Sequence, residues 1–414
     1  MTLLLYILLL VLIGWFFKKS PFIQKSELGW PIIYALFGIR VLFGIGLHWI
    51  SYTYYPNNDY IFLQEEALKE YEWLMQDPIA FTQDIIKTPY QHGYGNFFGA
   101  VGSFWKDLSN NLIIKFLAII NLFTQGNFYV NSLLLNIFPF LGSLAFYKTF
   151  KPHFSSQRIL LIFGSFLIPS TLYFSSGIHK DMFVFTALCF LIYIIEKIHN
   201  EGFSIQRLLL LILISIGIGL FRNFILLALI PCLIGYWISL SFPKNTYHIQ
   251  IFTALVIFLA SLMLTMTAPK ISPWQIVAAR QHDFLQLKPA KSQLPVFTLE
   301  NTPTSIVKQL PKAIDHGFFR PYIWSRAPFY SILLGAEILI YWIFISIVKI
   351  KKRKYLNSAL SPMSGLCLFL SLNMLLIIGY VVPNALSIVR YRSIFLPFLL
   401  ISFLLAYHNK ESNT

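Results

Sequence analysis

Charge is what this sequence has least of. Only 12% of its 414 residues are Asp, Glu, Lys or Arg, and just 17 are acidic. A soluble domain carries about a quarter of its residues as charges. A chain that is 57% hydrophobic, with mean hydropathy +0.65, could not hide so much apolar surface in water, whereas a bilayer solvates it. Cysteine is also scarce. Cys189, Cys232 and Cys367 each sit in an apolar run, without CxxC or metal-ligand spacing. That excludes a disulfide scaffold and a cysteine metal centre. Also lacking are a glycine-rich nucleotide loop, an internal repeat, a low-complexity tract and a soluble catalytic domain. The first apolar run has no basic stretch before it and no small-x-small site after it, and Lys18 and Lys19 follow at once. It reads as a retained span and not as a cleaved leader.

What is present is a series of apolar runs of membrane-crossing length. The expected fold is all-α: a polytopic transmembrane helical bundle forming a single membrane domain over 1–414. Eleven spans are expected, at about 2–17, 31–52, 128–147, 158–174, 181–196, 207–221, 223–241, 250–267, 329–348, 360–381 and 393–407. The run 112–123 is short and contains Lys115, so it reads as interfacial or re-entrant.

The net charge of +15 does not point to nucleic acid, because the basic residues punctuate apolar runs. They form groups: Lys18, Lys19 and Lys25; Lys148, Lys151 and Arg158; Lys197 and Arg207; Lys244; Lys349, Lys351, Lys352, Arg353 and Lys354; and Lys410. All fall on one side if 112–123 does not cross. The positive-inside rule makes that side cytoplasmic, with the N-terminus outside and the C-terminus inside. Anionic headgroups account for the excess charge. Two outer loops result. The first, 53–111, holds eight acids against three lysines. The second, 268–328, is basic and interrupted by Pro273, Pro289, Pro295, Pro303, Pro311 and Pro321.

Ionisable residues at or in spans are costly and therefore informative. Asp59 follows the second span in Tyr54-Tyr55-Pro56-Asn57-Asn58-Asp59-Tyr60 and has the chemistry of a general base, or simply of an acidic loop in water. Pro169-Ser170 lies inside the fourth span. The turn Ser175-Ser176-Gly177-Ile178-His179-Lys180-Asp181 puts three ionisable residues in one hairpin, which suits anion binding and proton handling; Asp181 also suits a helix N-cap, and Lys180 a lipid phosphate. Arg222 sits where the positive-inside bias disfavours it. It reads as a phosphate or carboxylate ligand, or as an arginine snorkelling to headgroups. Phe319-Arg320-Pro321-Tyr322-Ile323-Trp324 closes the second loop, and Val389-Arg390-Tyr391-Arg392 precedes the last span. Glu337, within the ninth span, is expected to face the bundle and pair with a buried cation such as Arg40. Together Lys180, Arg222, Arg320, Arg390, Arg392 and His179 suggest an outer cationic pocket for a lipid-linked pyrophosphate, with Asp59, Glu65, Glu66 and Asp181 as the neighbouring carboxylates.

In these motifs and in layout the chain resembles bacterial multi-pass Wzy-type oligosaccharide repeat-unit polymerases and GT-C-like membrane glycosyltransferases. The resemblance implies transfer from polyprenyl-pyrophosphate-linked saccharides at the outer face of the cell inner membrane, in surface polysaccharide synthesis, alongside envelope assembly proteins. It implies pyrophosphate-binding roles for Arg222, Arg320, Arg390 and Arg392, proton handling by His179, and a base at Asp59. Polymerase and single-sugar transferase both remain open. No cofactor is expected. A divalent cation would suit such chemistry, but no His/Asp cluster has ligand spacing. The competing readings are a transporter or flippase of the same lipid-linked saccharide, and a non-enzymatic envelope-assembly protein.

Overall fold

The computed structural model describes residues 2–55, 58–85, 104–154, 158–286, 292–325, 329–351 and 361–408. Pro56, Asn57, Lys87, Pro289, Lys352, Arg353, Lys354 and Lys410 lie outside the described residues, as do parts of both expected outer loops.

The chain is a polytopic helical bundle. In order, the helices are α1 (Thr2–Lys19), α2 (Trp30–Tyr54), α3 (Asp59–Gln76), α4 (Pro78–Gln83), α5 (Phe104–Thr124), α6 (Phe128–Leu135), α7 (Ile137–Phe150), α8 (Arg158–Phe166), α9 (Pro169–Ser175), α10 (Lys180–Glu201) and α11 (Ile205–Arg222). There follow α12 (Phe224–Ser241), α13 (Thr246–Thr267), α14 (Pro273–Leu285), α15 (Pro303–Ile314), a π-helical turn at Asp315–Phe319, α16 (Phe329–Lys351), α17 (Pro362–Val381), α18 (Ala385–Ser393) and α19 (Leu396–His408). Helices dominate because a membrane offers the backbone no water, so its hydrogen bonds must close within each segment.

Among the described residues eight helical stretches are long and apolar enough to cross a membrane, or up to ten if α8 with α9 and α18 with α19 each make one bent span. Eleven were expected; the expected span at 2–17 forms α1, outside that set, with Leu3, Leu4, Ile7 and Leu8 exposed. The first bend has a local cause. Pro169 cannot continue α8, and it starts a new helix at the position where its missing N–H costs least. The last pair breaks at Ile394–Phe395, so Val389–Arg392 belongs to a helix and not to a loop.

The chain divides into two compact units. The first comprises Met1–Thr149, Ser165–Leu167 and Leu172–Phe221; the second comprises Phe150–Gly164, Ile168–Thr171 and Arg222–Thr414.

In the first unit the described residues of the expected outer loop 53–111 are mostly helical. Asn58 caps α3 by accepting from the Tyr60 and Ile61 amides at 2.9 and 3.0 Å, and Asp77 caps α4 through Ala80. Helix α5 contains the 112–123 run and is not among the apolar spans; it packs on α3. Leu63 and Ala67 of α3 share a buried cluster with Ile113 and Leu117 of α5 and with Leu47, Phe128, Ile178 and Met182. Gln125 and Gly126, both at positive φ, turn the chain from α5 into α6. A Cβ at Gly126 would strike Leu68. Asn131 then donates to Gln64 at 3.0 Å and to Asn121 at 2.7 Å, a buried network tying α3, α5 and α6.

In the second unit the described part of the expected loop 268–328 holds two α-helices and a π turn, while 292–302 and 320–325 are irregular. Pro273 and Pro303 begin α14 and α15 at first-turn positions, behind capping Ser272 and Thr302. Gly317 and Gly379 let the π turn and α15 approach the α17 backbone, since a Cβ on either would collide with a carbonyl oxygen.

Candidate functional site

The residues singled out from sequence divide between the units. Asp59, His179, Lys180 and Asp181 lie in the first, and Arg222, Arg320, Arg390 and Arg392 in the second.

In the first unit the turn before α10 is strapped from behind. Arg40 of α2, fully buried, donates to Ser175 Oγ at 2.9 Å, and Asn136 donates to the Ser176 carbonyl at 3.1 Å. A Cβ at Gly177 would lie 2.5 Å from the Tyr60 ring and 2.9 Å from Leu47, so only glycine lets those side chains close over the turn. The Tyr60 ring centre stands 5.3 Å from that of His179. Tyr60 follows Asp59, and the capped start of α3 thereby brings the Asp59 carboxylate to His179 across 120 residues of sequence.

The result is a row of three titratable groups. Asp59 Oδ2 lies 3.4 Å from His179 Nε2, and His179 Nδ1 lies 2.9 Å from Asp181 Oδ2. Exposure falls along the row: the Asp59 side chain is 60% exposed, His179 2% and Asp181 1%. Nδ1 is also 3.3 Å from the Asp181 amide, capping α10. A protonated Nδ1 donates to the carboxylate, while a bare Nδ1 accepts the amide; the two contacts therefore belong to different tautomers. With the proton on Nδ1, the Nε2 lone pair faces Asp59. The N-cap is therefore His179 and not Asp181, which is the second residue of α10 and turns its carboxylate to the imidazole. Lys180 donates to Asn110 Oδ1 at 3.1 Å.

Sequence reasoning missed a second buried charge set in this unit. Lys115 of α5, 1% exposed, lies 2.7 Å from Glu70 and 3.0 Å from Asp84, and 4.2 and 4.4 Å from the Trp73 and Phe81 ring centres. Its signal was a lysine inside an apolar run following an acid-rich segment.

In the second unit two arginines lie over Tyr391 of α18, and a third is bonded to Asn223. Arg222, at the end of α11, stacks 4.2 Å from the ring centre. Arg390 lies 5.1 Å from it and donates to the Tyr391 hydroxyl at 3.3 Å. Arg280 of α14 donates to Asn223 Oδ1 at 3.3 Å. Burial pushes the Arg280 guanidinium below its ordinary range, and repulsion from Arg222 pushes the same way; Asp283 and Tyr391 oppose. Arg280 was not singled out from sequence, because it lay in a stretch read as loop. The Ser272-Pro273 start followed by Trp-Gln-Ile-Val-Ala-Ala is the helical signal that would have placed it.

Arg320 and Arg392 are differently placed. Arg320 Nε bonds Asp315 Oδ2 at 2.9 Å, and its guanidinium lies 4.3 Å from the Tyr322 ring centre; the Tyr322 hydroxyl donates to Asp315. Arg392, 1% exposed, donates to the carbonyls of Arg320 at 2.8 Å and Gly317 at 3.3 Å, holding the π turn. The expected pairing of Glu337 with Arg40 is replaced by hydroxyl partners for each. Glu337 accepts from the Ser170 amide and hydroxyl at 3.1 and 3.0 Å and from Tyr341 at 2.9 Å, while Arg40 binds Ser175 and Ser143. Glu337 thereby caps the N-terminus that Pro169 creates.

Among the described residues no three His, Cys, Asp or Glu side chains gather to hold a metal ion. No family model, curated protein or solved structure matches this chain.

Proposed function

We propose that this protein is a membrane glycosyltransferase or polymerase that acts on polyprenyl-pyrophosphate-linked saccharides at the outer face of the cell inner membrane. The observation that carries the reading is the Asp59–His179–Asp181 row. It joins a water-exposed carboxylate to a buried imidazole and a buried carboxylate. Such a row moves a proton away from a reacting hydroxyl. Asp59 takes the proton of the acceptor sugar's hydroxyl and passes it to His179 Nε2. Asp181 stabilises the resulting imidazolium through Nδ1. The hydroxyl oxygen bonds the donor's anomeric carbon, the bond from that carbon to the diphosphate oxygen breaks, and the electron pair leaves with the diphosphate. The distribution of Lys and Arg supports an outside N-terminus and a cytoplasmic C-terminus. Envelope polysaccharide assembly proteins are its expected partners.

The test is deletion of the gene in its host, with surface polysaccharide resolved by length. Loss of long chains with single repeat units remaining, restored by wild type and not by equally expressed Asp59→Asn, supports a polymerase. An unchanged ladder removes the polymerase. A transporter of the same lipid-linked saccharide is the second reading, favoured by the two bent helix pairs, since interrupted helices build midplane sites in transporters. It expects lipid-linked saccharide to change sides on deletion.

A further inference from the structure

We infer that Trp324 and Tyr322, with the Asp315 carboxylate beside them, form a shelf that binds a neutral oligosaccharide. Trp324 is 75% exposed, yet it is not a loose surface side chain. Its ring stacks on that of Tyr322, with centres 4.8 Å apart and planes 16° from parallel. Tyr322 is held in turn. Its hydroxyl donates to Asp315, and the Arg320 guanidinium lies 4.3 Å from its ring centre. The backbone is pinned as well. Ser325 donates to the Tyr322 carbonyl from its amide at 3.0 Å and from its hydroxyl at 2.6 Å. A Cβ at Gly335 would lie 2.7 Å from the Pro321 carbonyl oxygen, so glycine lets α16 pack against this turn. An indole is thereby presented as a rigid, uncovered plane, with little freedom left to lose when a ligand lies on it.

The groups round the plane select the ligand. Asp315 and Arg320 bond at 2.9 Å and offset each other's charge, so the shelf has little net charge to draw an ion. The C–H face of a pyranose carries partial positive charge and lies flat on the negative face of an indole. Its hydroxyls need acceptors at the rim. Asp315 is partly exposed; its two oxygens take one bond each, from the Tyr322 hydroxyl and from Arg320 Nε, and a carboxylate oxygen has room for a second. The Tyr322 ring separates the indole from the carboxylate, so a ligand that meets both is longer than one sugar. The inference concerns binding and does not rest on the transfer reading. An unchanged polysaccharide ladder would remove that reading and leave the shelf standing; failure of the shelf leaves the Asp59–His179–Asp181 row untouched.

Fluorescently labelled oligosaccharides, released by mild acid from the host's surface polysaccharide, are titrated into the full chain in phosphatidylcholine nanodiscs, and binding is read as fluorescence polarisation. Saturable binding is expected, weakened about tenfold or more by Trp324→Ala. Trp324→Phe keeps a ring face and is expected to stay within about threefold of wild type. Lys69→Gln, an exposed change in the other unit, should leave the affinity unaltered. Trp324 is exposed, so these variants keep the fold, which thermal unfolding checks. Three results would overturn the shelf: no saturable binding by wild type, as expected of a tryptophan that only anchors the bilayer; equal binding by Trp324→Ala; or Trp324→Phe as weak as Trp324→Ala.

Discussion

The two units handle charge in opposite ways. In the first, cations meet carboxylates: His179 stands between Asp59 and Asp181, and Lys115 between Glu70 and Asp84. In the second, Arg222 and Arg390 lie over one tyrosine and Arg280 is bonded to Asn223. Opposite charges in contact share protons and are internally satisfied, so such a place either moves a proton or fastens helices together. Cations laid over a ring or bonded to an amide, as Arg222 and Arg390 are at Tyr391 and Arg280 is at Asn223, fix the elements that carry them. Exposure separates the two oppositely charged sets. The His179 row opens through Asp59, whose side chain is 60% exposed, whereas Glu70 and Asp84 beside the buried Lys115 are 23% and 30% exposed.

That contrast can be broken most decisively at Asp59. Asp59→Asn keeps the shape and removes the proton acceptor, so transfer from a lipid-linked donor is expected to fall about 100-fold or more. The variant's thermal unfolding should match wild type. A variant that unfolds early would mean that Asp59 is a strut.

Lys115→Ala should do the reverse. It leaves Glu70 and Asp84 facing each other without a cation, at a cost on the order of 3 kcal/mol, read as a lower unfolding temperature in detergent. Unchanged stability would show that the triad contributes nothing to the α3–α5 pairing.

Arg320→Gln sharpens the division inside the second unit. The Arg320–Asp315 pair is partly exposed, so its loss should cost only about 1 kcal/mol.

The smallest effect expected is a pH dependence from His316, which is 4% exposed. Burial depresses its pKa below the ordinary value of 6.5; Asp315 opposes, while Arg320 and Lys312 reinforce. The folded chain then binds fewer protons than the unfolded chain once pH drops below 6.5. Stability should therefore decline from there down through the folded pKa and then level off. His316→Phe should flatten that part of the profile, measured by thermal unfolding.

The fold was legible in the sequence where long apolar runs met clustered Lys and Arg. Lys115 and its short length kept the 112–123 run out of the expected spans; Lys115 is a buried residue of α5, which is not among the apolar spans. Proline misled twice. Pro273 and Pro303 were read as interruptions, although proline in a first turn, behind a serine or threonine cap, starts a helix. Gly29 and Pro31, at the start of α2, carried that same signal. The candidate site was half legible. His179 and Asp181 are neighbours in sequence, and Asp59 was visible as a lone carboxylate after a span. That Asp59 reaches His179 depends on Gly177 and Tyr60, a contact between distant segments that local patterns do not encode. Arg280 was hidden for the same reason, since nothing near it in sequence points to Tyr391.

The proposed proton-moving unit is the Asp59–His179 pair. The most direct measurement is the transfer rate of purified Asp59→Asn, His179→Ala and the double variant, each at wild-type folding. Groups acting as one unit lose no more together than the worse single variant loses alone, and that is the expected result. Losses that multiply in the double variant, or either single variant at full rate, would contradict it.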